Sequence, residues 1–395
     1  MKVCIITGLY PPYSKGGAEA SAAAAAAEFA VVGHKVFVIT AQPFKGLKSL
    51  LPKAVNENGI TVYRFFPLNL FFYGNIGKKS FPLRVLWHLM DIWNIHAGIS
   101  ISRSIGKIRP DLVMTHNLKG FGLITPSTLY SARRDKNIPY KWIHTVHDVG
   151  LVSPSGLIQS GKENKWSNKI FSFLSRALFL SPDVAVSPSA WLLDFYTSRG
   201  FFPKSEKRVV SNPTSSFQLP ASSFRKSDPG RFLYLGQIEA HKGVLFLIEA
   251  FKKFLEAHPG GELWIAGDGA LKKEVEARIL GIKEIQYLGQ VPRERVSELF
   301  SRVSATVVPS CVLENAPTVI SESLMHGVPV IASRIGGIPE MVEDGKNGLL
   351  FMPGDTQSLI NALEKFLEQK ITVSDDKDNL PQTYGQTIAK ILNLF

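Results

Sequence analysis

The sequence predicts an α/β protein with two doubly wound domains, each built on a mostly parallel β-sheet. Three observations support this prediction: the length of 395 residues, the alternation of short apolar runs with helix-length segments, and a Ser- and Pro-rich stretch near the middle. A chain of this length exceeds what one hydrophobic core usually serves. Near-continuous apolar strands separated by helices are typical of parallel sheets covered on both faces.

Ten short runs rich in β-branched and aromatic residues are predicted as buried strands. They read VCIIT, KVFVIT, DLVMTH, KWIHTVH and DVAVSP in the first half, and RFLYLG, ELWIAGDG, IQYLG, ATVVPS and VPVIAS in the second. The segments between them have helical length, and one contains the six alanines of residues 22–27, which favour helix.

The aperiodic stretch SNPTSSFQLPASSFRKSDPG, residues 211–230, is interpreted as the linker. We therefore expect an N-terminal domain at 1–212, a second domain at 213–380, and a C-terminal helix at 381–395 packing back on the first domain. Ligands of open parallel sheets bind beyond the carboxyl ends of the strands. Two such domains would face a cleft that contains the site.

Positive charge is concentrated in the first half of the chain. Residues 1–212 contain 26 Lys and Arg against 11 Asp and Glu (+15), whereas residues 213–395 contain 19 against 22 (−3). This asymmetry favours an anionic partner for the first half: nucleic acid, an acidic membrane face or a phosphorylated substrate. A merely solvated basic surface is the alternative. No zinc-finger spacing or RNP-like motif favours nucleic acid.

The remaining bulk features indicate a cytoplasmic protein. Cys4 and Cys311 lie in apolar runs, which favours buried reduced thiols over a disulfide. No run of about 18 uncharged apolar residues predicts a membrane span. The start, MKVCIITG, is too short for a signal peptide.

One loop of the first half could contact an anion, and a second loop only resembles a phosphate-binding loop. Gly16 and Gly17 follow a strand and open the alanine-rich helix, whose N-terminus offers backbone N–H groups. A tight strand-to-helix turn is the alternative. The stretch GLIQSGKE, residues 156–163, resembles a phosphate loop, but Glu163 replaces the required Ser or Thr and no strand precedes it. Nucleotide hydrolysis there is excluded.

Three cationic or titratable side chains follow predicted strands. His147 ends HTVH at a strand's carboxyl end, where an imidazole could bond a hydroxyl or a developing charge. His144, three residues earlier, would point to the opposite face, which excludes shared metal ligation. His116 has the same place on its own strand. Lys242 opens a helix after YLGQIEAH and could neutralise a phosphate. Structural histidines and a solvated lysine are the alternatives.

The stretch LENAPTVISESL, residues 313–324, contains two glutamates around a proline. Pro317 suits the first turn of a helix, predicted to end near Met325 before Gly327. If the interval were helical, Glu314 and Glu322 would lie about 12 Å apart along the axis, beyond the roughly 5–9.5 Å of a glycosidase pair. They are interpreted as acceptors that grip different parts of one long ligand.

These residues resemble the family-4 (group 1) retaining glycosyltransferases, which have the GT-B fold. The Glu-x7-Glu motif reads Glu314 through Glu322 and continues into LMHGVPVIASRIGGIPEMVEDGKNGLLF, while GGAE, GHKVFVIT, HTVHD, YLGQIEAHKG and AGDG fall in the expected order. The resemblance covers nearly the whole chain. It implies two Rossmann-like domains facing a cleft, no cofactor, and a nucleotide-diphosphate sugar as donor.

The resemblance also implies roles for individual residues. Glu314 would hold hydroxyls of the donor sugar, Glu322 would accept from the ribose hydroxyls, and Lys242 would pair with the diphosphate. His147 would sit near the transferred sugar. The further substrate-binding positions it implies are Gly16, Gly17, Gln237, Gln290, Val291, Asn315, Ala316 and Thr318. His116 is a further candidate because of its place at the end of its own strand.

One position departs from the family pattern. Gln237 stands where the family commonly has arginine, so one of two diphosphate cations is missing. Losing a charge-assisted contact would cost about 1–2 kcal/mol of transition-state stabilisation. Lys15 is the nearest candidate to compensate.

The expected activity is metal-independent sugar transfer with retention, to a glycan or lipid-linked acceptor in cell-envelope synthesis. Residues 63–93 mix aromatic side chains with Arg and Lys, which favours peripheral contact with an anionic inner membrane face. An internally packed helix is the alternative there. Other readings of the whole chain are a catalytically weak partner subunit or nucleotide-sugar-binding protein, and a phosphorylase-like or epimerase enzyme of the same fold.

Overall fold

The computed structural model describes residues 1–14, 16–135, 137–212, 230–369, 371–373, 386, 389–391 and 393. They form two compact units. The first contains 1–156, 164–212 and the described residues from 386 onward, and the second contains Leu157–Glu163 and 230–373. The sequence analysis placed Leu157–Glu163 in the first domain. Most of the expected linker, Lys15 and the polar tail lie outside the described residues.

The first unit is built on an eight-stranded sheet with the order β3-β4-β2-β1-β5-β6-β7-β8. All its neighbouring strands pair in parallel except β3 and β4. The strands are β1 (Lys2–Ile6), β2 (Lys35–Ala41), β3 (Lys53–Glu57), β4 (Ile60–Phe65), β5 (Leu112–Thr115), β6 (Lys141–Thr145), β7 (Val184–Ser187) and β8 (Glu206–Val209).

Six α-helices accompany this sheet among the described residues. They are α1 (Gly17–Val31), α2 (Phe81–Ile92), α3 (Ile95–Ile108), α4 (Thr125–Asp135), α5 (Trp166–Phe179) and α6 (Ala190–Thr197). The alanine run lies in α1, and Ala22 and Ala26 are fully buried with Phe29 in the core beneath it. Small side chains let this helix approach the sheet closely. Ile391 packs in the same core.

The antiparallel hairpin β3–β4 is absent from the sequence prediction. Its turn residues Asn58 and Gly59 both have positive φ, 52° and 82°. An Asn-Gly turn of this kind matches the twist of a two-residue hairpin. Strand β3 has no fully buried residue, so the apolar-run criterion does not detect it. Strand β4 is mostly buried, and the sequence prediction missed it.

The second unit is built on a six-stranded, all-parallel sheet with the order β11-β10-β9-β12-β13-β14. Its strands are β9 (Arg231–Leu235), β10 (Glu262–Ala266), β11 (Ile285–Gly289), β12 (Ala305–Val308), β13 (Val330–Ser333) and β14 (Gly348–Phe351). Its helices are α7 (Val244–Ala257), α8 (Lys272–Arg278), α9 (Arg293–Phe300), α10 (Thr318–Met325) and α11 (Thr356–Glu368).

Both sheets have a doubly wound order, which confirms the predicted fold class. Strand order reverses beside β1, which lies between β2 and β5, and beside β9, which lies between β10 and β12. Loops diverge at such a switch point and leave a crevice beyond the strand ends. The described part of the chain contains no helix long and apolar enough to cross a bilayer.

Candidate active site

The switch point of the second unit brings the loops after β9 and β12 together. The first loop carries Lys242 and the second carries Glu314. The Cys311 amide donates to the His241 carbonyl oxygen at 3.0 Å, so the two loops are joined by their backbones. Cys311 was expected to be buried, but this loop leaves it half-exposed, while Cys4 is fully buried in β1; both are free thiols.

Lys242 and Glu314 form an ion pair at this point. Lys242 Nζ lies 2.6 Å from Glu314 Oε1, and the Ser310 hydroxyl donates to the same oxygen at 3.2 Å. The two side chains are 28% and 15% exposed. They are therefore neither solvated surface groups nor sealed in the core. A lysine and a glutamate that belong to loops 72 residues apart meet where a ligand of this sheet would bind.

Two glycines allow the loops to approach this closely. A Cβ on Gly243 would lie 1.9 Å from the Pro309 carbonyl oxygen, and one on Gly336 would lie 2.0 Å from the Glu314 carbonyl oxygen. Both residues have positive φ, 76° and 61°. The Gly337 amide donates to that same Glu314 oxygen at 2.9 Å. The position of the Glu314 backbone is thus fixed from β13 as well as from β12.

Helix α10 begins directly after Pro317, as predicted, and ends before Gly327, whose φ is 70°. Glu322 lies on this helix and is partly buried. Burial raises the pKa of Glu322, and the positive charge of Arg293 offsets part of that shift. Glu314 is outside the helix and is paired with a different cation. The two carboxylates therefore occupy separate environments.

The other residues expected to contact the donor lie on neighbouring loops of the same unit. Asn315 is buried, and Ala316 and Thr318 are partly exposed at the start of α10. Gln237 is exposed after β9, and its carbonyl oxygen accepts a bond of 2.6 Å from the Tyr234 hydroxyl. Gln290 is exposed beyond β11. Val291 follows Gln290 and packs against a small core cluster.

The switch point of the first unit brings two predicted histidines together. His116 follows β5, His147 follows β6, and their Nδ1 and Nε2 atoms are 2.9 Å apart. Burial lowers the pKa of His147 to about 4, partly offset by Asp148, and burial and His147 lower the pKa of His116. Both rings are neutral at pH 7, so one nitrogen donates and the other accepts. His144 instead packs between Phe179 and Phe202.

The comparisons with known proteins identify the family. The family model described as Glycosyl transferases group 1 matches residues 216–385, and the one described as Glycosyl transferase 4-like domain matches residues 16–213. The chain belongs to the group 1 glycosyltransferases. This result confirms the family resemblance found in the sequence.

Relatives and solved structures cover nearly the whole of this glycosyltransferase. An uncharacterized 42.6 kDa protein in the cps region of Klebsiella pneumoniae is 25% identical, over 86% of this chain and 87% of its own. Glycogen synthase of Mycobacterium tuberculosis is 25% identical, over 93% of this chain and 86% of its own. The structure of Anabaena Alr3699/HepE in complex with UDP covers 100% of both chains at 19% identity and a TM-score of 0.68. The same Anabaena protein has a structure in complex with UDP-glucose.

Several residues near the glycosyltransferase's histidine pair were not singled out from the sequence. Lys119 Nζ lies 3.1 Å from Asp148 Oδ2, and Asp148 Oδ1 accepts from the Gly150 amide at 2.7 Å. Burial acts to lower the pKa of Lys119, but Asp148, Tyr73 and Glu19 together outweigh burial and raise that pKa. Both residues adjoin strand ends, in THNLKG and HTVHD. That position could have identified them as candidate site residues from the sequence.

The helix N-terminus of α1 differs from the expectation of free N–H groups. The Gly16 amide donates to Glu19 Oε2 at 2.9 Å, so this N–H is already paired, and Gly17 is exposed beside it. Glu19 is buried, and burial raises its pKa. The Gly-x-x-Glu spacing is that of a capping box. This correction removes the Gly16 N–H from the groups available to a phosphate.

A cavity of about 80 Å³ lies beside the histidine pair in the first unit. Lys119 and Asp148 line it together with His116 and His147, and α2 and α5 contribute to its wall. In the described part of the chain, no group of three or more His, Cys, Asp and Glu side chains is placed to hold a metal ion.

Proposed function

We propose that this glycosyltransferase moves a sugar from a nucleotide-diphosphate donor to a glycan or lipid-linked acceptor, with retention and without a metal. The observation that carries the proposal is the Lys242–Glu314 pair at the switch point of the second unit, with Glu322 nearby on α10. A lysine beside a diphosphate stabilises the charge that develops as the donor bond breaks. The Anabaena protein's complexes with UDP and UDP-glucose support this donor class.

The ion pair also suggests how the site responds to substrate. In the structure, Glu314 neutralises Lys242. A diphosphate would take over the lysine as a stronger anionic partner, which would release Glu314 oxygens to accept from sugar hydroxyls. Lys242 would thus bind the diphosphate, and Glu314 would accept hydrogen bonds from the sugar hydroxyls.

The histidine pair of the first unit is proposed to act as neutral imidazoles. Because the pKa of His147 is about 4, its ring can bond a hydroxyl of the transferred sugar without adding a full charge. The departing phosphate would then accept the proton of the incoming hydroxyl on the same face of the sugar. Protein groups would contribute orientation and stabilisation of negative charge.

Product analysis tests the reaction class. After a thermal-shift screen against UDP, GDP and ADP and their sugars identifies the donor, the anomeric configuration of the product is read by NMR. We expect the donor's configuration in the product, and unchanged turnover in excess chelator. An inverted product refutes retention. Activity that falls with chelator and returns with a divalent cation refutes metal independence.

A catalytically weak partner subunit is the second candidate, favoured by Gln237. A glutamine at the exposed end of β9 can donate a hydrogen bond but adds no positive charge. We expect Gln237→Arg to raise kcat about five- to thirtyfold, which corresponds to 1–2 kcal/mol. Gln357→Arg, at an exposed glutamine of α11, is the matched control. Donor binding without turnover in both wild type and Gln237→Arg would instead favour the partner-subunit function.

The positive, aromatic segment at 63–93 is proposed to contact an anionic membrane face. Helix α2 lies in this segment and exposes several large apolar side chains. Trp87 is buried, whereas Phe81, Leu86 and Leu89 are 70%, 47% and 57% exposed. Helices of this kind lie in the bilayer interface, where apolar side chains enter the acyl boundary. A lipid-linked acceptor would be reached from that position.

A further inference from the structure

Exposed apolar side chains are concentrated in the first unit, as positive charge is. Of the 29 large hydrophobic residues that are exposed in the described part of the chain, 24 lie in the first unit and five in the second. The five are Leu157, Leu280, Leu288, Met352 and Leu367. Residues 1–212 also carry the charge excess of 26 Lys and Arg over 11 Asp and Glu. Apolar exposure and positive charge therefore coincide in one unit.

Helix α5 carries one of these apolar stripes, and no part of the activity described above uses it. Trp166, Ile170 and Phe173 are 76%, 60% and 66% exposed. Their spacing of four and three residues places them on a single face of the helix. The opposite face contains the buried Ser175 and Phe179. The helix thus buries one side against its own unit and leaves its most apolar stripe in contact with solvent.

Basic side chains flank the exposed stripe. Residues 164–176 contain three cations, Lys165, Lys169 and Arg176, and no Asp or Glu. By helical spacing, Lys169 and Arg176 lie on the same side of the stripe. Arg176 also lies over the Phe173 ring at 5.8 Å. A stripe with aromatic residues and cations beside it matches the two layers of a lipid interface, acyl chains and anionic headgroups.

We propose that α5 is a membrane-docking helix, which binds an anionic lipid surface through Trp166, Ile170 and Phe173 with Lys165 and Lys169 on the headgroups. A second copy of the chain fits this face less well. Two copies that met through this face would each bring its net positive charge to the interface, and like charges oppose such contact. An anionic bilayer supplies both the apolar layer and the opposite charge.

The cavity of the first unit gives this docking a consequence for the substrate. Phe171 and Phe179 of α5 line it together with His88 and Asp91 of α2. Two helices with exposed apolar stripes therefore border one cavity, which also contains Lys119. Docking both helices would bring the cavity to the headgroup layer, where the polar end of a lipid-linked acceptor lies. This consequence rests on the proposed function, whereas vesicle binding by α5 does not.

Vesicle flotation at low salt tests the docking helix. The double variant Trp166→Ser/Phe173→Ser should bind vesicles of phosphatidylglycerol and phosphatidylcholine at least about tenfold more weakly than wild type. The matched control, Leu280→Ser/Met352→Ser, removes two exposed apolar side chains from the second unit, 85% and 56% exposed, and should bind like wild type. Circular dichroism and the donor-induced thermal shift check that both variants are folded.

Charge variants and neutral vesicles complete the test. Lys165→Glu/Lys169→Glu should weaken binding to the anionic vesicles, and pure phosphatidylcholine vesicles should bind the wild type poorly. Wild-type binding by Trp166→Ser/Phe173→Ser overturns the proposal, as does equal affinity for neutral and anionic vesicles. A concentration-dependent dimer that this double variant abolishes would identify a second copy as the occupant and overturn it too. Flotation measures vesicle binding without turnover. The docking proposal can therefore be tested even if the protein does not transfer a sugar.

Discussion

Lys242→Met should lower kcat for sugar transfer by about 10²–10³-fold. Lys242 is the cation that the structure places at the β9–β12 switch point, 2.6 Å from Glu314. Methionine keeps most of the length of the side chain but removes the charge that would stabilise the departing diphosphate. It also leaves the Glu314 carboxylate without its cation, so that negative charge would face the negative donor. Both effects act on the same bond-breaking step.

The Lys242→Met experiment is read from steady-state kinetics with two controls. Lys242→Arg retains the charge and should keep a larger share of kcat, although the guanidinium geometry differs from that of an ammonium. Lys253→Met removes an exposed lysine of α7 and should leave both kcat and KM unchanged. A Lys242→Met variant with near wild-type kcat would show that another group stabilises the leaving phosphate.

Glu322→Gln should abolish most of the thermal shift that the preferred nucleotide gives the wild type. In the proposed complex this carboxylate accepts from ribose hydroxyls, and a hydrogen bond to a charged group contributes about 1.5–3 kcal/mol. Losing it corresponds to roughly a 10- to 150-fold weaker affinity. The shift depends on the ratio of ligand concentration to Kd, so it shrinks at fixed nucleotide. Glu294→Gln, at an exposed glutamate of α9, should shift like wild type.

The same Glu322→Gln variant should be more stable than wild type without ligand at pH 7–8. Burial raises the pKa of Glu322, so the folded protein holds that proton more tightly than the unfolded chain. The ionised carboxylate therefore costs stability at neutral pH, and the cost disappears as pH falls through the raised pKa. The difference in unfolding free energy between variant and wild type should narrow toward acid pH. If the nucleotide gives Glu322→Gln the same thermal shift as wild type, the ribose role is refuted, whatever the stability of the ligand-free variant.

The ten predicted strands illustrate how much of the fold is local information. Buried parallel strands are apolar on both faces, so β1, β2, β5 and β9 are visible as runs of β-branched residues. Strand β3 could not be found in this way, because four of its five residues are exposed. Its pairing with β4 depends on the Asn58–Gly59 turn, and that signal is present in the sequence as an Asn-Gly pair.

The candidate site residues show the same division between local and long-range information. Glu314, Glu322, Lys242 and His147 could be named because each follows a strand or opens a helix within a motif of fixed spacing. The contacts between such residues could not be predicted from the sequence. His116 and His147 are 31 residues apart, and Lys242 and Glu314 are 72 residues apart, so sheet order alone makes them neighbours. The exposed stripe of α5 was also hidden, because its residues are as apolar as those of a core helix.

By itself, the sequence determined the fold class and the family, because strand periodicity, capping positions and motif spacing are properties of neighbouring residues. The same signals predicted the residues that the donor site would use. Only the tertiary structure decided which charges are already paired, such as Lys119 with Asp148 and the Gly16 amide with Glu19. It also decided which apolar faces remain exposed. Pairing and exposure depend on contacts between segments far apart in the chain, and their free energies are set by burial rather than by residue type.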